Sequence, residues 1–168
     1  MRSLNALRAV VLSLGAAYLI FSQDHSAKVG LHVLQIVTVA LVAGALVVFR
    51  IPKLKVTFRD ILAPTVIALT VAVLSLGLLT EGELFQFKAL VILFAVAMAV
   101  LEIVLSAKAD SGEKTELRIS ATLGALTGLL FVVAPLNDLN AVGFFSAYLA
   151  ISAVQRAVWA AGPSKGKK

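Results

Sequence analysis

The sequence predicts an all-α integral membrane protein, a bundle of six transmembrane helices arranged as three tandem helical hairpins. Of its 168 residues 60% are hydrophobic and only 14% charged, and the mean hydropathy of +1.00 is far from that of a soluble domain. Six nearly uncharged stretches of about 17 to 23 residues can each cross a bilayer core of ~30 Å as a helix. These predicted spans cover residues 4–22, 31–49, 61–79, 85–107, 119–135 and 139–161.

The first span begins like a signal peptide, with a basic stretch from Met1 to Arg8 and an apolar stretch from Ala9 to Phe21. Asp24 and His25 make the following small residues a poor cleavage site, so we expect the span to be retained. Cleavage is the alternative, and it would leave five spans.

Helix punctuation supports the later boundaries. Thr57 and Asp60 fit a capping box that leads into the third span, and Pro64 is expected in its first turns, where a missing N–H matters least. The other boundaries carry turn residues: Asp110-Ser111-Gly112 after the fourth span, Pro135 with Asn137 and Asp138 after the fifth, and Gly162-Pro163 after the sixth.

Residues 1–162 are predicted to form a single transmembrane domain, followed by a short basic tail at 163–168. The longest connectors, from Arg50 to Asp60 and from Lys108 to Arg118, are too short to bury a core of their own. Cysteine is absent, so the chain has neither a disulfide framework nor a thiolate site.

The positive charges predict the orientation. If the N-terminus is cytoplasmic, thirteen of the fifteen lysines and arginines fall on the cytoplasmic side, and only Lys28 and Lys88 fall outside. The positive-inside rule therefore predicts a multi-pass protein of the plasma membrane with both termini in the cytoplasm. The basic residues then face the anionic lipids of the inner leaflet, and the net charge of +6 calls for no nucleic-acid partner.

Small residues at four-residue spacing predict close helix packing, because only they let two backbones approach each other inside lipid. The best stripe consists of Ser120, Gly124 and Gly128, and it is either a seam within the bundle or a dimer seam. Two weaker stripes are Ala95 with Ala99, and Gly143 with Ala147. Val91 is expected to face lipid.

Glu102 is the only acid well inside a predicted span, and Arg156 lies at a similar depth in the sixth span. When the fourth and sixth spans are aligned with Ala99 opposite Ala153, Glu102 and Arg156 fall at equivalent positions. This alignment predicts a buried ion pair between Glu102 and Arg156. Two alternatives remain open. Each side chain can extend separately to the headgroups, or Glu102 can belong to a proton relay. The further polar candidates for a relay are Gln35, Thr38, Thr127 and Gln155.

No catalytic signature is present in the sequence, and neither an enzyme nor a cofactor is predicted. His25 and His32 lie at or near the first outer loop, where they are either part of a solvated rim or a sensor of acid. Their seven-residue separation does not favour metal chelation.

The last hairpin resembles the short repeat of the HdeD-like acid-resistance membrane proteins. The similar pattern runs from Leu123 to Leu130 and on to Pro135, followed by Gly143, Tyr148 and the stretch from Ala153 to Ala161. The fourth span from Ala99 to Ala107 is similar to the even helices of that repeat. The resemblance implies three hairpins in an inner membrane and a role in acid or stress tolerance, with no catalytic residues.

We therefore expect a non-enzymatic membrane protein with a structural or stress-related task. One alternative is an accessory or assembly subunit that binds a larger membrane protein, or a homo-oligomer. A second is a minimal proton-coupled transporter or channel. A water-filled path lined by Glu102, Gln155 and Arg156 would favour transport, whereas a dry interior would favour a scaffold.

Overall fold

The computed structural model describes residues 2–51, 58–76 and 82–162, with the side chains of residues 3–51, 61–76 and 82–162. These ranges contain six α-helices and no strand. The helices are α1 (Arg2–Phe21), α2 (Ala27–Phe49), α3 (Phe58–Leu74), α4 (Glu83–Ser106), α5 (Ser111–Val133) and α6 (Asp138–Ala161).

Five of the helices in the described part of the chain, all except α3, are long and apolar enough to cross a membrane. The apolar part of α3, Ile61–Leu74, is shorter. The protein is thus all-helical, and its apolar helices are those of a membrane protein.

The helices pack with alternating directions. The most extensive contacts join α1 to α6 and α4 to α5, and α2, α4 and α6 also contact one another. At one end of the bundle α1, α3 and α5 begin while α2, α4 and α6 end, and we call this the basic end. Leu4, Ala45, Val48 and Ile61 form a small apolar cluster there that joins α1, α2 and α3.

The opposite half of the bundle has a solid apolar core. Phe87 packs edge-on against Phe131 and Phe145, with ring centroids 6.2 and 5.5 Å away, and all three rings are at most 1% exposed. Gly30 of α2 makes room for them, because a Cβ at this position would lie 2.7 Å from the Phe87 ring.

At the end of the bundle opposite the basic end, side chains cap the first turns of two helices. Ser26 and Asn137 cap α2 and α6 by accepting from Val29 N and Asn140 N. The Asp138 carboxylate accepts from Ala27 N at 3.0 Å, so the first turn of α6 also caps α2.

Two helices begin before the apolar spans predicted for them. α5 begins at Ser111 rather than at 119, so Ser111 and Gly112 lie in its first turn after the N-cap Asp110. α2 likewise begins at Ala27 rather than at 31. Hydropathy marks where a chain enters lipid, whereas backbone hydrogen bonding carries a helix on into the polar region.

The helix α3 begins at Phe58, directly after the predicted cap residue and three residues before the apolar span predicted from 61, and Pro64 lies in its second turn. Thr57 of the predicted capping box, residues 77–79 of the predicted third span and the tail at 163–168 lie outside the described residues.

One predicted face is wrong. Val91 is fully buried rather than facing lipid, because α4 is contacted by α2, α3, α5 and α6. Gly143 and Ala147 are exposed and form no seam within the bundle, and a Cβ at Gly143 would meet no atom within 4 Å. Both faces of these helices are apolar, so hydropathy does not distinguish them.

Candidate functional site

Glu102 of α4 and Arg156 of α6 meet near the basic end. The Arg156 guanidinium donates from Nη2 to Glu102 Oε1, and the two residues are only 4% and 6% exposed. The same Nη2 donates to Ser120 Oγ of α5 at 3.1 Å. The ion pair and this hydrogen bond connect three helices, α4, α5 and α6.

Trp159 lies one turn beyond Arg156 on α6. The guanidinium carbon of Arg156 is 5.3 Å from the centroid of the Trp159 ring, within the range of a cation–π interaction. Arg156 is thus held by a carboxylate, a hydroxyl and an aromatic face, in a place with little access to water.

The predicted stripe on α5 divides into two parts. Ser120 contributes its hydroxyl to the ion pair, as described above. Gly124 and Gly128 face α4, because a Cβ on them would lie 2.8 Å from the Ala95 carbonyl oxygen and 2.5 Å from Val96 Cγ2. Ala95 and Ala99, which are 0% and 6% exposed, form the other side of this seam.

A cavity of about 200 Å³, which we call the basic-end cavity, opens beside the ion pair. Its polar lining residues are Asn5, Arg8, Glu102, Lys108, Glu113, Arg156 and Trp159. Its apolar lining includes Leu4, Met98, Leu101, Leu105 and Leu117. Side chains of α1, α3, α4, α5 and α6 surround it, so it lies along the bundle axis rather than between two neighbouring helices.

Two smaller cavities adjoin the basic-end cavity. One of about 40 Å³ is bounded by the ion pair together with Ser120, Tyr148 and Ser152. Another of about 20 Å³ lies beside Pro64 and Thr65. Arg8 and Met98 line all three cavities. The basic end is therefore loosely packed around Arg8, and each cavity can hold at least one water.

The other candidates for a relay do not extend this polar region. Thr38 and Thr127 donate to carbonyl oxygens of their own helices, at Leu34 and Leu123. Gln155 donates to the Glu116 carbonyl at 3.0 Å and so joins α6 to α5. Gln35 is half-buried on α2. The two threonines thus bond within their own helices, and Gln155 joins two helices.

Sequence reasoning missed several residues of this site, although one signal was present. Tyr148, Ser152 and Arg156 are spaced by four residues, which places a polar stripe on one face of an otherwise apolar helix. Asn5 and Arg8 of α1 had no such signal, because both fall in the basic N-terminal stretch that resembles a signal peptide.

The two histidines lie away from the ion pair. His25 is half-buried in the loop before α2, and His32 is exposed on α2. Among the described residues, no three His, Asp or Glu side chains are grouped so that they could hold a metal ion.

The chain matches no family model, no curated protein and no solved structure. The similarity to the HdeD-like proteins stays a prediction, and the function has to be argued from the geometry of the bundle.

Proposed function

We propose that this chain is a non-enzymatic protein of the plasma membrane that crosses the bilayer six times, as three tandem hairpins, and has a structural or stress-related task. Five long apolar helices support the proposal, and in it the shorter apolar helix α3, Ile61–Leu74, belongs to the sixth span. The alternation of helix directions is what consecutive crossings of a bilayer require.

The packing agrees with three hairpins around a common axis, although the most extensive contacts, α1 with α6 and α4 with α5, join helices of different hairpins. The helices α2, α4 and α6 contact one another, while α1, α3 and α5 each pack against two of these even-numbered helices. Three repeated hairpins placed around a common axis would have this pattern. In this proposal the basic end faces the cytoplasm and the anionic lipids of the inner leaflet.

The closed apolar half of the bundle favours a scaffold over a transport path. Phe87, Phe131 and Phe145 fill its interior and are at most 1% exposed. The three cavities around Arg8 all lie in the basic half. A proton or ion path requires polar groups or water in series across the membrane. The aromatic core interrupts such a series.

Flux measurements on the purified protein in liposomes test this proposal. We expect proton and potassium leakage no faster than in liposomes without protein. Leakage that disappears in Glu102→Gln, with the protein still folded, would instead establish the proton-coupled transporter. Co-purification in mild detergent tests the accessory-subunit alternative, which requires a partner at fixed stoichiometry.

The stress-related task rests on the resemblance to HdeD-like proteins and needs its own test. We expect cells that lack the protein to survive an acid challenge less well, and the wild-type gene to restore survival. Unchanged survival under acid would rule out the stress-related task, and only the structural task would remain.

A further inference from the structure

We propose that the surface groove between α1 and α2 binds an anionic phospholipid, with the phosphate at its polar end and an acyl chain along its apolar part. The proposal rests on the membrane-spanning arrangement proposed above and adds a lipid site at the end opposite the basic end. In the proposed orientation this lipid belongs to the outer leaflet.

The groove, called here the α1–α2 groove, has a volume of about 300 Å³. Its lining residues are Val11, Leu14, Gly15 and Tyr18 of α1 and Val29, His32, Val33, Ile36, Val37 and Ala40 of α2. Leu14, Tyr18 and Ile36 are exposed, so the groove faces the surroundings of the bundle, which in the proposal are lipid. An acyl chain can therefore enter it sideways from the bilayer.

The floor of the α1–α2 groove is closed by close helix packing. A Cβ at Gly15 would lie 2.6 Å from Val37 Cγ2, so α1 and α2 touch beneath the groove and separate it from the core. From Tyr18 to Val11 the groove runs seven residues along α1, or ~10 Å. Apart from Tyr18 and His32 its lining carries no polar side chain, which suits a stretch of acyl chain.

The polar side chains of the groove are confined to one end. Tyr18 lies in the last turn of α1 and His32 in the second turn of α2. Tyrosine is typical of the depth at which lipid headgroups begin. The polar end of the groove is therefore expected at the level of the lipid phosphate, and its apolar part continues deeper, where the acyl chains lie.

Lys28 supplies the charge that selects an anionic headgroup. It precedes His32 by one turn along the same side of α2, and both residues are exposed. A phosphate diester carries one negative charge and accepts hydrogen bonds. The Lys28 ammonium, the Tyr18 hydroxyl and a His32 ring N–H are all donors, and the ammonium gives the stronger, charge-assisted bond.

The two acids at the start of α2 are engaged with the backbone. The Asp24 carboxylate accepts from Ser26 N at 2.8 Å, and the Asp138 carboxylate accepts from Ala27 N at 3.0 Å. Both carboxylates thus lie against the backbone N–H groups that precede the second turn of the helix. The Lys28 side chain remains exposed beside them for a lipid phosphate.

Native mass spectrometry of the full-length protein in mild detergent tests the site. The probes are phosphatidylglycerol, diacylglycerol with the same chains but no phosphate, and glycerol phosphate, which has no chains. We expect saturable binding of phosphatidylglycerol and of neither fragment, because the groove requires both the charge and the chain.

Two variants with matched controls assign the binding to the α1–α2 groove. Lys28→Gln should weaken phosphatidylglycerol binding about tenfold, through loss of a charge-assisted hydrogen bond, and Ala40→Phe should weaken it by filling the deep end. The controls are Lys88→Gln, at the same end but on α4, and Ala147→Phe, at an exposed position of α6, and both should bind as the wild type does. Lys28 is exposed, so its variant stays informative if Ala40→Phe does not fold.

Three results would overturn the site. These are the absence of saturable phosphatidylglycerol binding, equal binding of diacylglycerol or of glycerol phosphate, and unchanged affinity in Lys28→Gln. Resistance to alkaline extraction from membranes tests the proposed function separately. A protein that resists extraction but fails any of these binding tests refutes the groove site alone, whereas an extracted protein refutes the membrane-spanning proposal and the site with it.

Discussion

The pair of Glu102 and Arg156 can stay charged inside the bundle because each residue neutralises the other and Ser120 and Trp159 add further partners. With 4% and 6% exposure both residues have little contact with bulk solvent, although they line the basic-end cavity. Burying two charges carries a large desolvation penalty, so such a pair often adds little net stability. Its effect is greater when one member is missing.

We therefore predict that removing one charge harms the protein more than removing both. Glu102→Gln or Arg156→Gln leaves a buried charge unpaired, which typically destabilises by about 3 to 5 kcal/mol, and the double variant avoids this. A double-mutant cycle of thermal unfolding in mild detergent measures the coupling. Glu83→Gln, at an exposed acid, is the control. Strictly additive effects would show that the two charges act independently.

All the described threonines lie in helices, and Thr65 differs from the others in its hydrogen bonding. Thr38, Thr70, Thr115, Thr122 and Thr127 each donate to the carbonyl four residues earlier. The Thr65 hydroxyl is buried beside Pro64 without a hydrogen-bond partner among the described residues. It lines a cavity of about 20 Å³, roughly the size for one water.

Thr65→Val should leave stability unchanged or raise it by up to ~1 kcal/mol, since it removes a polar group that the described protein atoms do not satisfy. Thr127→Val, at a hydroxyl that is hydrogen-bonded, should bring no gain. Unfolding temperatures of the two variants in the same detergent decide the sign. A clear loss in Thr65→Val would place a bridging water in the cavity.

Two glycines of α5, Gly124 and Gly128, lie in its contact with α4. At Gly124 an added Cβ would meet a backbone carbonyl oxygen at 2.8 Å, and backbone cannot move aside. At Gly128 the obstacle is a side-chain methyl group of Val96, a residue that is 41% exposed, and this stiff β-branched side chain yields more easily than backbone but is not free to rotate. The two glycines of the stripe therefore differ in what they tolerate.

The resulting prediction is a graded series of alanine variants. Gly124→Ala should destabilise by about 1 to 3 kcal/mol through overpacking, and Gly128→Ala by less. Gly143→Ala, where an added Cβ meets nothing within 4 Å, should be neutral or slightly stabilising because alanine is the better helix former. Equal effects at Gly124 and Gly143 in thermal unfolding would contradict the seam.

At the scale of elements, the sequence patterns predict where the helices lie but not which of their faces are buried. Hydropathy finds the helices because lipid and core both require apolar side chains, but it does not tell which apolar face is buried. For this reason the sequence predicts Val91 to face lipid, although it is buried. The pairing of Glu102 with Arg156 was predictable, because charged groups inside a membrane need a partner and these two lie at equal depth. Asn5 and Arg8 had no comparable pattern.

Across the whole molecule, polar and apolar interiors are separated along the bundle axis. The basic half holds the ion pair and the three cavities, while the other half is closed by aromatic rings. The basic half also coincides with the loops that carry most of the positive charge. In the proposed orientation this polar interior lies at the cytoplasmic end, as the positive-inside rule predicts.

Cysteine labelling tests that orientation directly, because the chain has no cysteine of its own. Ser111→Cys places a thiol at an exposed position of the basic end, and Asn140→Cys places one at an exposed position of the opposite end. A membrane-impermeant maleimide added to intact cells should label Asn140→Cys alone, and permeabilised cells should label both. Labelling of Ser111→Cys in intact cells would invert the orientation, and the basic-end cavity would then open to the outside.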